Sequence, residues 1–205
     1  MSDTETKPAS RRGRPRAFDR GRALDAAMQL FWAQGYGGTS VAELTEAMGI
    51  HPPSLYACFG SKEDLFRAAL DRYLQGPAAY FANALQEPTA RAVAAALLLN
   101  TPKAITSSSG PCGCMLVQTG LGTGPGAEEM RQEMRRRRLA GEDALIGRLR
   151  QVAGELPDGT SPETLARVIL AHLRGMAIAA SDGASEDTLR EMAEMCLASL
   201  PLGAD

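Results

Sequence analysis

Residues 40 to 61 carry helix punctuation so closely spaced that it leaves little choice of fold. Ser40-Val41-Ala42-Glu43 matches a capping box, in which the Ser40 hydroxyl and the Glu43 carboxylate satisfy each other's backbone amides. The helix it opens turns Val41, Leu44, Ala47 and Met48 inward. Gly49 ends it, because glycine most easily takes the left-handed conformation of a sharp turn, and Ile50 anchors the next segment. Pro52-Pro53 then begins a short helix, since proline in the first turn forfeits no hydrogen bond. Ser61 caps a further one, with Glu63 and Asp64 in its positive first turn and Leu65, Phe66, Ala69, Leu70 and Tyr73 on its apolar face. Upstream, Asp19 caps a supporting helix through Ala23, Ala27, Leu30 and Phe31 that is expected to stop at Gly35.

The rest of the chain keeps the helical period, and no β-branched alternation of useful length interrupts it. Helices are expected over residues 89–105, 114–119, 127–153, 161–180 and 185–200, with a Ser/Gly/Pro loop over 107–113. In the long helix Leu139, Ile146, Leu149 and Val152 should point inward, and Glu133 should pair outward with Arg137 four residues on. The fold class is therefore all-α, about nine helices by these capping signals. No apolar run approaches the roughly 18–20 residues of a membrane span. The polar start lacks the apolar core of a secretory signal, and four scattered cysteines suit a reducing compartment, so a cytoplasmic protein is expected.

A net charge of −2 hides a strong asymmetry. Lys7 to Arg22 holds seven basic residues against Asp19 alone, a local +6 that leaves −8 for the remainder. All ten aromatic side chains lie at or before Phe81. The break suggests a basic arm (residues 1–17), a small unit with an aromatic core (18–75) and a larger Leu/Ala/Val/Met-packed unit (76–205), parted near Gly76-Pro77.

Helix, glycine turn and short helix over residues 40–57, behind a basic arm, form a helix-turn-helix pattern. Such a short helix fits the DNA major groove, about 12 Å wide, and shows its first turn to base edges. Leu55 should face the core with Ile50 and Phe59, which leaves His51, Pro52, Pro53, Ser54, Tyr56 and Ala57 to other faces. His51 and Ser54 suit base edges, Tyr56 a phosphate, and the prolines and Ala57 apolar contact such as thymine methyls.

Gly35-Tyr36, Thr39-Ser40-Val41, Ala47-Met48-Gly49-Ile50, Ser54-Leu55-Tyr56 and Phe59-Gly60-Ser61-Lys62-Glu63-Asp64-Leu65-Phe66 closely resemble the tetracycline-repressor (TetR) family of bacterial regulators over roughly residues 18–75. Gly113-Cys114-Met115-Leu116-Val117 is similar to a segment of some members, and Pro52-Pro53 departs from the usual pattern. The resemblance implies a homodimer on a near-palindromic operator, with Thr39, Ser40 and Val41 at the DNA backbone, residues 51–57 in the groove and Lys62 on phosphate.

Arg11-Arg12-Gly13-Arg14-Pro15-Arg16 looks like an AT-hook core, whose Arg14 and Arg16 would enter an A·T minor groove; a solubilising tail is the other reading. Cys112-Gly113-Cys114 allows a thiol sensor or merely packed small residues. It does not make a metal site, because four ligands are needed, nothing nearby supplies the other two, and the chain's only histidines are His51 and His172. Arg135 to Arg138 wrap a helix at about 100° per residue and read as a solvated, locally paired face.

The last two helices carry Leu165, Ile169, Met176 and Leu189, Ala193, Cys196, Leu200, with small Ala171, Gly175 and Ala179 at intervals of four. Small side chains allow close helix approach, and in the family such a pair forms the dimer interface, so these residues are interface candidates; packing within one chain is the alternative. An effector pocket, with no aromatic beyond Phe81, should be aliphatic and Met-rich, and Tyr73, Tyr80, Met115, His172 and Met176 are its lining candidates. His172 reads more readily as a satisfied core histidine than as an effector contact.

Enzyme chemistry finds little footing: there is no nucleophile elbow, phosphate-binding glycine loop or carboxylate cluster at ligand spacing. A helical module that binds only protein leaves the basic arm unexplained. The expectation is a ligand-responsive repressor, homodimeric on operator DNA and released by a small-molecule effector, without cofactor. A thiol switch through Cys112 and Cys114 is the alternative.

Overall fold

The computed structural model describes residues 19–107, 110–118 and 127–203. Among them are ten α-helices and no strand: α1 (Arg20–Gly38), α2 (Val41–Met48), α3 (Pro52–Phe59), α4 (Lys62–Gln75), α5 (Ala79–Ala84), α6 (Ala90–Thr106), α7 (Met115–Gln118), α8 (Ala127–Gln151), α9 (Pro162–Ser181) and α10 (Glu186–Ser199). The basic arm, with Arg14 and Arg16, lies outside the described residues.

The capping signals are realised as hydrogen bonds. Asp19 Oδ1 accepts from the Gly21 and Arg22 amides at 3.0 and 3.1 Å. Ser40 Oγ accepts from Glu43 N at 3.1 Å, while Glu43 Oε2 accepts from Ser40 N at 2.7 Å. Ser61, Thr89, Ser161 and Ser185 start α4, α6, α9 and α10 in the same way. Each such cap contributes ~1 kcal/mol. The helix that no sequence signal announces is α5, six residues long, whose start at Ala78 has no side-chain cap.

Gly35 kinks α1 instead of ending it. At φ 72° and ψ 170° it breaks the helical path, which resumes to Gly38. The kink swings Tyr36 into the core, edge-on to Phe66 with ring centroids 5.3 Å apart. Phe31 meets Phe66 edge-on at 5.0 Å, and Trp32 meets Tyr73 at 4.9 Å, so the ring cluster locks α1 to α4. This core crosses the compositional break, because Met115 of α7 and Met130 and Met134 of α8 complete it.

A second core joins α6, α8, α9 and α10 around Leu97, Leu98, Leu145, Leu149 and Ile169. Several facing assignments change on folding. Ala47 is exposed, and Thr45 is buried in its stead with its hydroxyl on the Ala42 carbonyl at 3.0 Å. Leu139 is 40% exposed, and Glu133 is buried where an outward position was expected. Of the interface candidates, Leu165, Ile169, Leu189, Ala193 and Leu200 are buried in the chain's own core, and Cys196 and Ala179 pack against it. These side chains are taken up within one chain. The outward face of α9 is made by Val168, Ala171, Gly175 and Ile178.

Candidate nucleic-acid interface and adjoining cavity

Two buried side chains orient α3. Leu55 is fully enclosed and Phe59 nearly so, and Ile50 packs against the same core from the preceding turn. His51, Pro52, Pro53, Ser54, Tyr56 and Ala57 are all exposed, Tyr56 by 50%. The first turn offers no free amide: prolines have none, and the Ser54 amide is bonded to the His51 carbonyl at 2.9 Å. Contacts from this end must therefore come from side chains. His51 occupies the N-cap position yet makes no side-chain cap bond, so its ring is not spent on its own helix.

The flanking residues are less uniform. Ser40 is exposed and Val41 half-buried at the start of α2. Thr39 is 1% exposed, and its hydroxyl donates to the Gly35 carbonyl at 2.7 Å, bracing the kink from inside. Lys62 is half-buried; its Nζ donates to the Tyr36 carbonyl at 2.9 Å and lies 4.2 Å from the Tyr36 ring centroid. Desolvation lowers the Lys62 pKa, opposed by Glu63 and Glu43. The Tyr36 hydroxyl donates to Glu63; burial first and that carboxylate second raise the phenol, and the same bond lowers Glu63. Lys62, Tyr36 and Glu63 thus tie the start of α4 to the end of α1. Arg20 completes the packing, its guanidinium 4.8 Å from the Phe59 ring centroid.

A cavity of about 430 Å³ lies where α4 and α5 meet α6, α7, α8 and α9, within the size range of small-molecule sites. Leu74 borders it from the end of α4, Ala78 from the start of α5, Phe81 from α5, Leu116 and Val117 from α7, and Leu170 and Leu173 from α9. Tyr80 and Thr101 line it with hydroxyls 3.2 Å apart, and burial pushes the Tyr80 phenol up to about 12, which keeps it neutral. Cys114, Arg137, Arg138 and Arg174 also reach the wall.

Of the five lining candidates, only Tyr80 borders this cavity. Tyr73 and Met115 are buried in the amino-terminal core and Met176 in the other. A ring nitrogen of His172 lies 3.0 Å from the Met192 carbonyl, joining α9 to α10. The wall is mostly aliphatic but adds Tyr80, Phe81 and three arginines, and among the described residues it holds no methionine. The arginines are the residues that sequence reasoning missed. Arg135 and Arg136 are exposed as a solvated face requires, whereas Arg137 and Arg138 are half-buried and turn to the cavity. Glu142 pairs with Arg167 of α9, not with the run.

Cys112 is exposed and Cys114 is half-buried, with the Tyr73 hydroxyl 3.4 Å from its sulfur. Burial raises the Cys114 thiol pKa, only partly opposed by that hydroxyl. Among the described residues no three His, Cys, Asp or Glu side chains are placed to hold a metal, and no helix is long and apolar enough to cross a membrane.

Residues 23–69, which contain all of α2 and α3, match the family model for bacterial regulatory proteins of the tetR family. The chain is 38% identical over 186 residues to the HTH-type transcriptional repressor ComR of Escherichia coli (strain K12), spanning 89% of each. It is 40% identical over 115 residues to the HTH-type transcriptional repressor BdcR of the same strain, covering 55% of this chain and 58% of that one. A cysteine-substituted form of the TetR family transcriptional regulator CifR, complexed with 26-bp double-strand operator DNA, superposes with a TM-score of 0.85. It shares 41% identity over 92% of this chain and 100% of its own. The chain belongs to the TetR family. It is a DNA-binding transcriptional regulator.

Proposed function

We propose that this protein is a repressor that grips a near-palindromic operator as a homodimer through α3 of each subunit, and releases it when a small molecule occupies the cavity. One observation carries the reading: Leu55 and Phe59 root α3 while His51, Ser54 and Tyr56 stand clear of the protein. His51 and Ser54 take base edges, the Tyr56 hydroxyl takes a phosphate, and Pro52, Pro53 and Ala57 offer apolar contact. Ser40 and Val41 approach the backbone at the start of α2, where the helix dipole favours anions. The Thr39 hydroxyl has given its one proton to the Gly35 carbonyl, whereas Lys62 spends one of its three N–H donors on the Tyr36 carbonyl and keeps two for a phosphate. Arg14 and Arg16 supply further positive charge in the arm. A protein acting on operator DNA in this way works in the cytoplasm.

Two-fold DNA asks for a two-fold protein, with recognition helices about 34–36 Å apart to enter successive major grooves. The exposed strip of Val168, Ala171, Gly175 and Ile178 on α9, with Met195 of α10 76% exposed, supplies an apolar surface for a second copy. The cavity adjoins the end of α4, whose start is tied to α1 by Lys62, Tyr36 and Glu63. A ligand that fits a conformation with another helix spacing must weaken operator binding by the ratio of its affinities for the two conformations.

A thiol switch through Cys112 and Cys114 is favoured by one fact, that Cys114 borders the cavity. Its raised pKa works against it, since the thiolate is the reactive form. Operator release that survives Cys112→Ser with Cys114→Ser excludes the switch.

Footprinting on DNA upstream of the protein's own gene tests the proposal, with and without a metabolite extract. A protected near-palindrome that the extract exposes supports it, and absence of any protected site there or in a pool of random duplexes contradicts it.

A further inference from the structure

This inference rests on the cavity being the effector site and concerns the chemistry of its occupant. The wall is apolar over most of its extent, yet three guanidiniums reach it and, among the described residues, no carboxylate does. Their partners differ. Arg137 bonds Glu133 through Nε at 2.7 Å and pairs with Asp71. Arg174 lies 4.0 Å from Glu142, whose other oxygen is held by Arg167 at 2.9 Å. Arg138 donates to the Leu116 carbonyl at 2.8 Å and, among the described residues, has no carboxylate within ion-pair distance. Burial and then the neighbouring Arg174 push its pKa down from the ordinary arginine value. A half-buried cation beside a second cation, facing an apolar space, is held there at a cost that an arriving anion offsets.

We infer that the occupant is an amphipathic monocarboxylate, its head paired with Arg138 and Arg174 and its body lying along Phe81, Leu116, Leu170 and Leu173. A guanidinium fork matches a carboxylate in shape and can bond both oxygens. One positive charge lacks a carboxylate, so a single negative charge balances the site, whereas a dianion would carry excess charge into an apolar space. A cation meets like charge. The Thr101 hydroxyl donates to the Leu97 carbonyl at 2.7 Å and lies 3.2 Å from the Tyr80 hydroxyl, so the apolar body meets no unmet polar demand from either.

Calorimetric titration of the full-length protein with octanoate, octan-1-ol and octylamine reads this directly. Octanoate should bind at least about tenfold more tightly than octan-1-ol, the scale of a charge-assisted hydrogen bond, and octylamine most weakly. Arg138→Gln should bring octanoate down to the level of the alcohol while octan-1-ol is unchanged. Arg174→Gln, folded by circular dichroism, gives a second reading should the first variant lose structure. Octan-1-ol binding as tightly as octanoate, octanoate failing to bind, or both variants retaining the preference would overturn the inference. Operator release is scored separately. Octanoate that binds with the predicted preference but leaves the operator complex intact upholds the chemistry and ends the effector reading of the cavity. Release by neutral ligands alone does the reverse.

Discussion

Arg137 of α8 forms an ion pair with Asp71 of α4 while its side chain borders the cavity. Arg67 of α4 pairs likewise with Glu129 at the start of α8. The two pairs fasten α4 to α8, the longest helix among the described residues. Because Lys62 and Glu63 at the other end of α4 hold Tyr36, a change at the cavity can be passed to α1–α3 through one rigid element.

Asp71→Asn should loosen this link without unfolding the protein. The pair is partly exposed, so stability should fall by only about 0–1 kcal/mol. The ratio of operator affinities without and with a saturating ligand should move toward one. Operator titrations of the variant, alongside its thermal melt, check this; an unchanged ratio would remove the pair from the coupling.

Neighbouring residues on α3 should separate folding from recognition. Leu55→Ala empties a fully buried site and should cost about 2–5 kcal/mol of stability. Tyr56→Ala removes an exposed ring and should change stability by no more than about 0.5 kcal/mol, yet weaken operator binding. Denaturant unfolding and fluorescence anisotropy with operator DNA measure the two effects.

Glu133 predicts an acid dependence. The Arg137 hydrogen bond first, with Arg136 assisting against burial, holds its carboxyl below the ordinary value of 4.5. A carboxyl lowered by folding stabilises the native state above its unfolded pKa and loses that contribution as pH falls through the folded value. Stability should therefore decline below about pH 4.5, and Glu133→Gln should flatten that part of the profile. Unfolding curves between neutral pH and the acid range test the slope.

Two glycines with positive φ should respond differently to alanine. Gly49, at φ 65°, has open space where a Cβ would stand, so Gly49→Ala should cost only the left-handed strain, roughly 1–2 kcal/mol. Gly113, at φ 94°, would place a Cβ 2.9 Å from the Ala177 carbonyl and 2.6 Å from Gln118 Nε2. Gly113→Ala should be the more damaging, as paired thermal melts would show.

The amino-terminal unit was largely legible because its signals are local. Caps, a glycine turn and prolines act within a few residues, and Leu55 is the apolar position that α3 can turn inward. The cavity was not legible, because its wall is assembled from α4 to α9. Four adjacent arginines look equivalent in sequence, and only the placement of α7 and α9 against α8 turns Arg138 inward and leaves Arg135 in solvent. The same limit applied to α9, where an apolar stripe and a small-residue stripe both suited an interface until the chain's own core took Leu165 and Ile169. Met115, Met130 and Met134 entered the aromatic core from beyond the compositional break, a tertiary contact with no local signature.

Operator recognition rests on the exposed face of α3, which should distinguish one DNA sequence from others. It is tested most directly by titrating the full-length protein against the protected duplex and a scrambled duplex of equal length and composition, at matched salt. The account predicts a preference of about a thousandfold or more for the protected sequence, abolished by removing the His51, Ser54 and Tyr56 side chains together. Equal affinity for both duplexes, or a preference that survives the triple substitution in a folded protein, would contradict it.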